Sequence, residues 1–196
     1  MAMIVVLSAP SGTGKTTLVN ILREIVPELV VSVSYTTRKP RQDERNGIDY
    51  HFISRRAFKA LIRRGFFAEW ACVYGNYYGT SKSFLEKNLS AGNKILLTID
   101  TQGGLQIKNA YPDALLIGIL PPSQKEQGRR LARRGENTKE MEKRLQESAR
   151  ERRMLRMHYH IRVVNKNIAA TAKRLAHIIK NWHRDAEKNQ SKERSD

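Results

Sequence analysis

The stretch Met3-Ile4-Val5-Val6-Leu7-Ser8-Ala9-Pro10-Ser11-Gly12-Thr13-Gly14-Lys15-Thr16 decides how the rest of the chain is read. Its first five residues are all apolar, a run of strand length, and unbroken apolarity is the mark of a strand covered on both faces. Beyond it, Leu18, Val19, Leu22 and Ile25 recur at helical spacing until Pro27 stops the run. Between strand and helix, residues Ala9, Pro10, Ser11, Gly12, Thr13, Gly14, Lys15 and Thr16 match the pattern Gly-x-x-x-x-Gly-Lys-Ser/Thr, with Ala9 in place of the first glycine. Gly12 and Gly14 let the backbone curl with its N–H groups around phosphate oxygens, and the helix behind offers a positive N-terminus. Lys15 can reach the outer phosphates, and the Thr16 hydroxyl can ligate the magnesium that accompanies a nucleoside triphosphate. The loop thus calls for ATP or GTP and leaves the acceptor open.

Working outward, residues 31–35 alternate like a second strand, and residues 37–49, with Pro40, Gly47 and many charges, read as an exposed loop. A short strand at 50–53, a helix at 54–64, and aromatic-rich strands at 67–73 and 76–79 joined by a tight Tyr74-Gly75 turn have the look of an insertion. Helix 81–90, buried strand 94–99, helix 101–110 and buried strand 114–120 then alternate up to Pro121-Pro122. Two helical stretches follow, 123–134 and 139–157, broken at Gly135, before a strand at 161–164 and a last helix from Ile168. From Asp185 the apolar periodicity is lost, which predicts a frayed, solvated tail. Buried strands alternating with helices predict an α/β fold, a parallel sheet flanked by helices, with ligands at the carboxyl ends of the strands.

A chain of 196 residues has room for one domain with a small inserted subdomain. No apolar run approaches the ~18 residues of a membrane span, and the start runs into a strand with no basic leader, so the expectation is a cytoplasmic protein off the membrane. Lys and Arg number 36 against 19 Asp and Glu, a net charge of +17 that draws anions: phosphates, nucleotides, nucleic acids or acidic lipids. Acidic residues interleave the basic ones across 125–166, so a solvated helix face accounts for much of the excess. Nucleic acid is therefore the lesser candidate partner, although the charge does not rule it out. The lone Cys72 can form neither an internal disulfide nor a zinc cluster, and its strand predicts a buried packing role. Nothing in the sequence fixes the oligomeric state.

The segment 34–80 collects Ser34, Arg38, Arg41, Tyr50, Glu69, Tyr78 and Thr80. Two guanidinium forks and two phenols suit a monophosphate dianion. A carboxylate such as Glu69 suits guanine, whose N1–H and exocyclic amine are two donors that one carboxylate can accept together. Adenine lacks that pair.

These residues resemble the guanylate kinase family. The resemblance runs from Ile4 to about Trp182, through Ser8 to Lys15, Val33-Ser34-Tyr35-Thr36-Thr37-Arg38, Pro40-Arg41, Asn46-Gly47-Ile48-Asp49-Tyr50, Gly75-Asn76-Tyr77-Tyr78-Gly79-Thr80 and Ile99-Asp100-Thr101-Gln102-Gly103. It implies a P-loop kinase fold with a core of residues 1–33, 81–122 and 158–184, an inserted mixed β/α GMP-binding subdomain at 34–80, a helical lid at 123–157 and a tail at 185–196. It implies transfer of the terminal phosphate of ATP to GMP, with magnesium accompanying ATP. Arg38, Arg41, Tyr50 and Tyr78 would hold the GMP phosphate, while Ser34, Glu69 and Thr80 read guanine with Asp100 nearby. Lys15 with Arg130, Arg134 and Arg144 of a mobile lid would act on the transferring phosphate, and Asn165 would lie near the adenine. The chain departs from the family at Thr98, where an Asp is usual, at Lys166-Asn167, where two Asp are frequent, and in the more basic segment 150–158. Two rival readings share the likeness: a non-catalytic module that binds phosphorylated proteins, and a kinase of the same fold acting on a phosphorylated sugar. The intact residues 12–16 speak against the first, and Glu69 with the Gly75 to Thr80 segment against the second.

Overall fold

The computed structural model describes residues 2–132 and 138–193, with side chains described within 2–132 and 144–182. Strand β1 (Met3–Ser8) is central in a five-stranded parallel sheet of order β2-β7-β1-β8-β9, with β2 (Leu29–Val31), β7 (Lys94–Leu97), β8 (Leu115–Leu120) and β9 (Ile161–Val164). Successive side chains of a strand point to opposite faces, and β1 serves both. Met3, Val5 and Leu7 join Leu18 and Leu22 of α1 (Lys15–Ile25) and Leu175 and Ile179 of α7 (Ile168–Glu193) in one core. Ile4 and Val6 join a second core with Leu85 of α3 (Lys82–Ser90), Ile107 of α4 (Thr101–Ala110) and Leu155 of α6 (Thr138–His158). Both faces are covered, as the unbroken apolar run requires.

A second sheet of order β4-β3-β6-β5 holds β3 (Tyr35–Thr36), β4 (His51–Phe52), β5 (Phe67–Val73) and β6 (Asn76–Ser81). It is mixed: β3 pairs parallel with β4 and antiparallel with β6, which pairs antiparallel with β5. Helix α2 (Arg55–Arg63), capped by Ser54 accepting from Ala57 N–H, buries Phe58 against this sheet, stacked at 4.4 Å on Phe67 and 5.4 Å on Tyr77. The β5–β6 turn has positive φ at both Tyr74 (49°) and Gly75 (77°), the backbone twist that a two-residue hairpin favours. Helix α5 (Gln124–Ala132) follows β8. The backbone of α7 is helical through Glu193. Among the described residues no helix is long and apolar enough to cross a membrane.

Three expectations are corrected. The stretch from Asp185, expected to fray, continues the backbone of α7 as helix through Glu193. Residues 31–35 are not one strand: Val31 ends β2 in the large sheet and Tyr35 begins β3 in the small one. The chain changes sheets across Ser32-Val33-Ser34, where Ser32 N–H still bonds to Leu96 O before Ser34 O accepts from His51. Cys72 is exposed, not buried. Strand β5 has one covered face, and its alternation turns Glu69 and Ala71 inward while Trp70 and Cys72 face out.

Candidate active site

The carboxyl ends of β1 and β7 release residues 9–14 and 98–100 side by side, and the small sheet stands over them. One cavity of about 250 Å³ is lined by residues 9–16, Ser34, Arg38, Arg41, Tyr50, Glu69, Tyr78, Thr98, Asp100, Arg144 and Glu151. Most of the residues expected to form a donor site and an acceptor site therefore share one cleft. Thr80, Arg130 and Asn165 stand behind the lining, and Arg134 lies outside the described residues.

On the donor side the loop carbonyls are turned into the protein. Pro10 O accepts from Thr13 Oγ1 at 2.6 Å and Thr13 N at 3.2 Å. Ser11 O accepts from Gln127 Nε2 at 2.7 Å. Thr13 O accepts from Asn165 Nδ2 at 2.8 Å and Arg130 at 3.4 Å. Gly12 and Gly14 hold φ of 80° and 92°, conformations other residues rarely adopt. Asn165 is thus a buried prop beneath the loop, with its Oδ1 unpartnered. Lys15 begins α1 and donates to Ile99 O at 3.4 Å. Burial lowers its pKa, opposed by the carboxylates of Glu151 and then Asp100. Thr16 is exposed and lines the cleft, so its hydroxyl is free to meet a hydrated cation. Arg144 of α6 donates to Ser11 Oγ at 2.8 Å and lies 5.1 Å over the Tyr74 ring, joining the phosphate loop to the hairpin tip.

On the acceptor side, Arg38 and Arg41 converge on Glu44. Arg38 donates to Glu44 Oε1 at 2.7 Å, Arg41 N–H donates to Oε2 at 2.8 Å, and the Arg41 guanidinium lies 3.8 Å away. Partial burial works against the Glu44 carboxylate, but Arg38 and Arg41 hold its pKa below the usual range. An acid already sits where the two guanidinium groups meet, the arrangement an incoming phosphate would find. Tyr50 lies beneath Arg38, 5.4 Å from ring centre to guanidinium, and 6.0 Å from the Tyr78 ring. Burial raises the Tyr50 pKa, which keeps the phenol protonated as a donor.

Glu69 is 2% exposed, and its Oε1 accepts from Thr80 Oγ1 at 2.6 Å. Burial raises its pKa to about 7, against the Thr80 hydrogen bond and with help from the negative Asp100. Asp100 caps α4, its Oδ1 accepting from Gln102 N at 2.7 Å and Gly103 N at 3.3 Å. A Cβ at Gly103 would collide with Glu69 Oε2, so that position must be glycine for the carboxylate to sit as it does. Strand β5 is fastened to α4 by a double amide contact: Gln106 Nε2 donates to Trp70 O at 2.8 Å, and Trp70 N–H donates to Gln106 Oε1 at 3.2 Å.

Sequence reasoning missed Glu44, Gln127 and Glu151, and quoted Gly103 without giving it a role. Glu44, set among Arg38, Arg41 and Arg45, carried a charge-pairing signal. Glu151 reaches the cleft from α6, and burial raises its carboxyl to about 7 despite Lys15.

The family model described as guanylate kinase matches residues 1–182. A guanylate kinase of Aromatoleum aromaticum is 52% identical over 132 residues, which is 67% of this chain and 65% of that protein. The chain thus spans just under two thirds of that relative's length. A guanylate kinase of Nitrosomonas europaea is 41% identical over 179 residues, 91% of this chain and 89% of that protein. The crystal structure of guanylate kinase from Anaplasma phagocytophilum superposes with a TM-score of 0.78 at 36% identity, covering 91% of this chain and 85% of that one.

Proposed function

Because this chain belongs to the guanylate kinase family, we propose that it transfers the γ-phosphate of ATP to GMP, giving ADP and GDP. The observation that carries this reading is the single cleft in which Lys15 and the phosphate loop face Arg38, Arg41, Tyr50, Tyr78 and Glu69. ATP takes the loop, with Lys15 at the outer phosphates, and Asn165, assigned to the adenine side, supports the loop from beneath through Thr13 O. GMP takes the small sheet: its phosphate replaces Glu44 between Arg38 and Arg41, with Tyr50 and Tyr78 as donors. Its guanine presents N1–H and the 2-amine to Glu69, with Ser34, Thr80 and Asp100 around the base. Residues 34–80 are then the acceptor subdomain and 123–157 the lid.

Phosphoryl transfer asks the protein to align two nucleotides and neutralise charge, because the reacting phosphates supply the bonds. The GMP phosphate oxygen attacks the γ-phosphorus in line while the bond to the β-phosphate oxygen breaks, its electron pair leaving with ADP. Lys15, Arg130 and Arg144 offset charge on the moving group, and Arg134 is assigned with them. The exposed Thr16 hydroxyl, a hard oxygen beside Lys15, fits magnesium, which supplies charge neutralisation at the outer phosphates when bound. Closure of the acceptor subdomain over the bound nucleotides would exclude water, which would otherwise take the phosphate. The reaction is assigned to the cytoplasm.

The test is ADP release from ATP and magnesium with GMP, AMP, CMP and UMP as separate acceptors. GMP should support turnover far above the others. Equal rates with all four, or none with GMP, would overturn the reading.

A further inference from the structure

Gln127 on α5 is fully buried, and both ends of its amide are used. Nε2 donates to Ser11 O at 2.7 Å inside the phosphate loop. Oε1 accepts from Ser148 Oγ at 2.9 Å and from Arg152 at 3.1 Å, both on α6, and Arg152 donates again to Ser148 Oγ at 2.7 Å. One turn further on, Leu131 packs against Gly12, so a Cβ at that glycine would meet it at 3.2 Å. An apolar side chain at position 127 would serve the α5–α6 packing alone, and burying an amide there is costly unless its hydrogen bonds are all made. Both the nitrogen and the oxygen of this amide have partners, and one of those bonds ends on the loop.

We propose that Gln127 is a positioning residue of the donor site: it holds the Ser11 carbonyl away from the cleft and ties that orientation to the seat of α6, which carries Arg144. The inference rests on the functional reading above. A carbonyl oxygen turned into the cup would face the phosphates with its negative end and repel them. Pro10 and Thr13 have their carbonyls held by other donors, and Gln127 does the same for Ser11. Because the same amide accepts from Ser148 and Arg152, a shift of α6 is felt at Ser11, and Arg144 reaches the Ser11 hydroxyl from that helix at 2.8 Å.

The test compares Gln127→Glu and Gln127→Leu with wild type. The glutamate keeps an acceptor for Ser148 and Arg152 but offers no donor to Ser11; the leucine fills the space and makes neither contact. Calorimetric titration with ATP and magnesium, without GMP, should show Kd raised about 5- to 30-fold in both variants. GMP affinity should stay within about twofold of wild type, because the acceptor residues are elsewhere. Amide hydrogen exchange across residues 11–15 should quicken in Gln127→Glu, with β5 and β6 unchanged. Unaltered ATP affinity and loop exchange in folded variants would overturn the proposal, as would an equal loss for ATP and GMP. A wild-type protein inactive toward GMP, with loop exchange still quickened by Gln127→Glu, would sink the kinase reading while supporting the positioning role.

Discussion

In the proposed reading Glu69 accepts both guanine donors as an anion, yet burial raises its carboxyl to about 7 in the protein without nucleotide. GMP binding should therefore expel a proton. At pH 6.5 a carboxyl with that pKa is about three-quarters protonated, so GMP binding should release roughly 0.8 proton from this group. If the bound carboxylate stays ionised throughout, its contribution to GMP affinity falls about tenfold from pH 8 to pH 6. The nucleotide phosphate also takes up a proton near pH 6, so the comparison is made with Glu69→Gln, which keeps that effect and removes the carboxyl. Calorimetry of GMP binding in buffers of differing ionisation enthalpy reads the proton count directly. The substitution itself should weaken GMP by roughly 10- to 150-fold at pH 8, the value of a charge-assisted contact, with ATP spared. Identical proton release by wild type and Glu69→Gln would refute the reasoning.

Gly103→Ala puts a methyl where Glu69 Oε2 lies; it should destabilise the fold by about 1–3 kcal/mol of overpacking and lower GMP affinity while ATP affinity holds, as urea unfolding and titration of each nucleotide will show. Raised carboxyl pKa values also bear on stability. A native-state group near 7 that titrates near 4.5 when unfolded binds more protons in the folded state, so its stabilising share is full at low pH and is lost as pH rises through about 7. Urea unfolding of wild type relative to Glu69→Gln should therefore lose about 2–3 kcal/mol between pH 5 and pH 8, and a pH-independent difference would contradict this. Arg144→Ala removes the contact to Ser11 and the stack on Tyr74, so kcat should fall on the order of 10²-fold, with Arg144→Lys recovering only part because an ammonium cannot reproduce the flat fork.

Much of the frame was legible because its signals are local. The five apolar residues of β1, the glycines that follow and the spacing of Leu18 and Leu22 each follow from a short-range period. Thr101–Ala110 and Ile161–Val164 fall where the periodicity put them. The boundary between the two sheets was not legible, since alternation across residues 31–35 says nothing about which sheet a strand joins. Cys72 misled for a related reason: an apolar aromatic run implies two covered faces, whereas β5 has one face open. The residue types at the site could be read, but their supports could not. Gln127 meets Ser11 across 116 positions and Asn165 meets Thr13 across 152, distances over which no sequence period operates.

The parity of β1 fixes how this protein can change over time. Odd positions belong to one core and even positions to the other, and the strand ends directly in the loop that curls on Gly12 and Gly14. Inserting or deleting a single residue ahead of that loop would exchange the two sets of side chains and rotate the cup away from its cleft at once. Length variation among descendants of this chain should therefore collect in surface turns away from the cleft, such as 111–113, while β1 keeps its residue count even as its apolar side chains interchange.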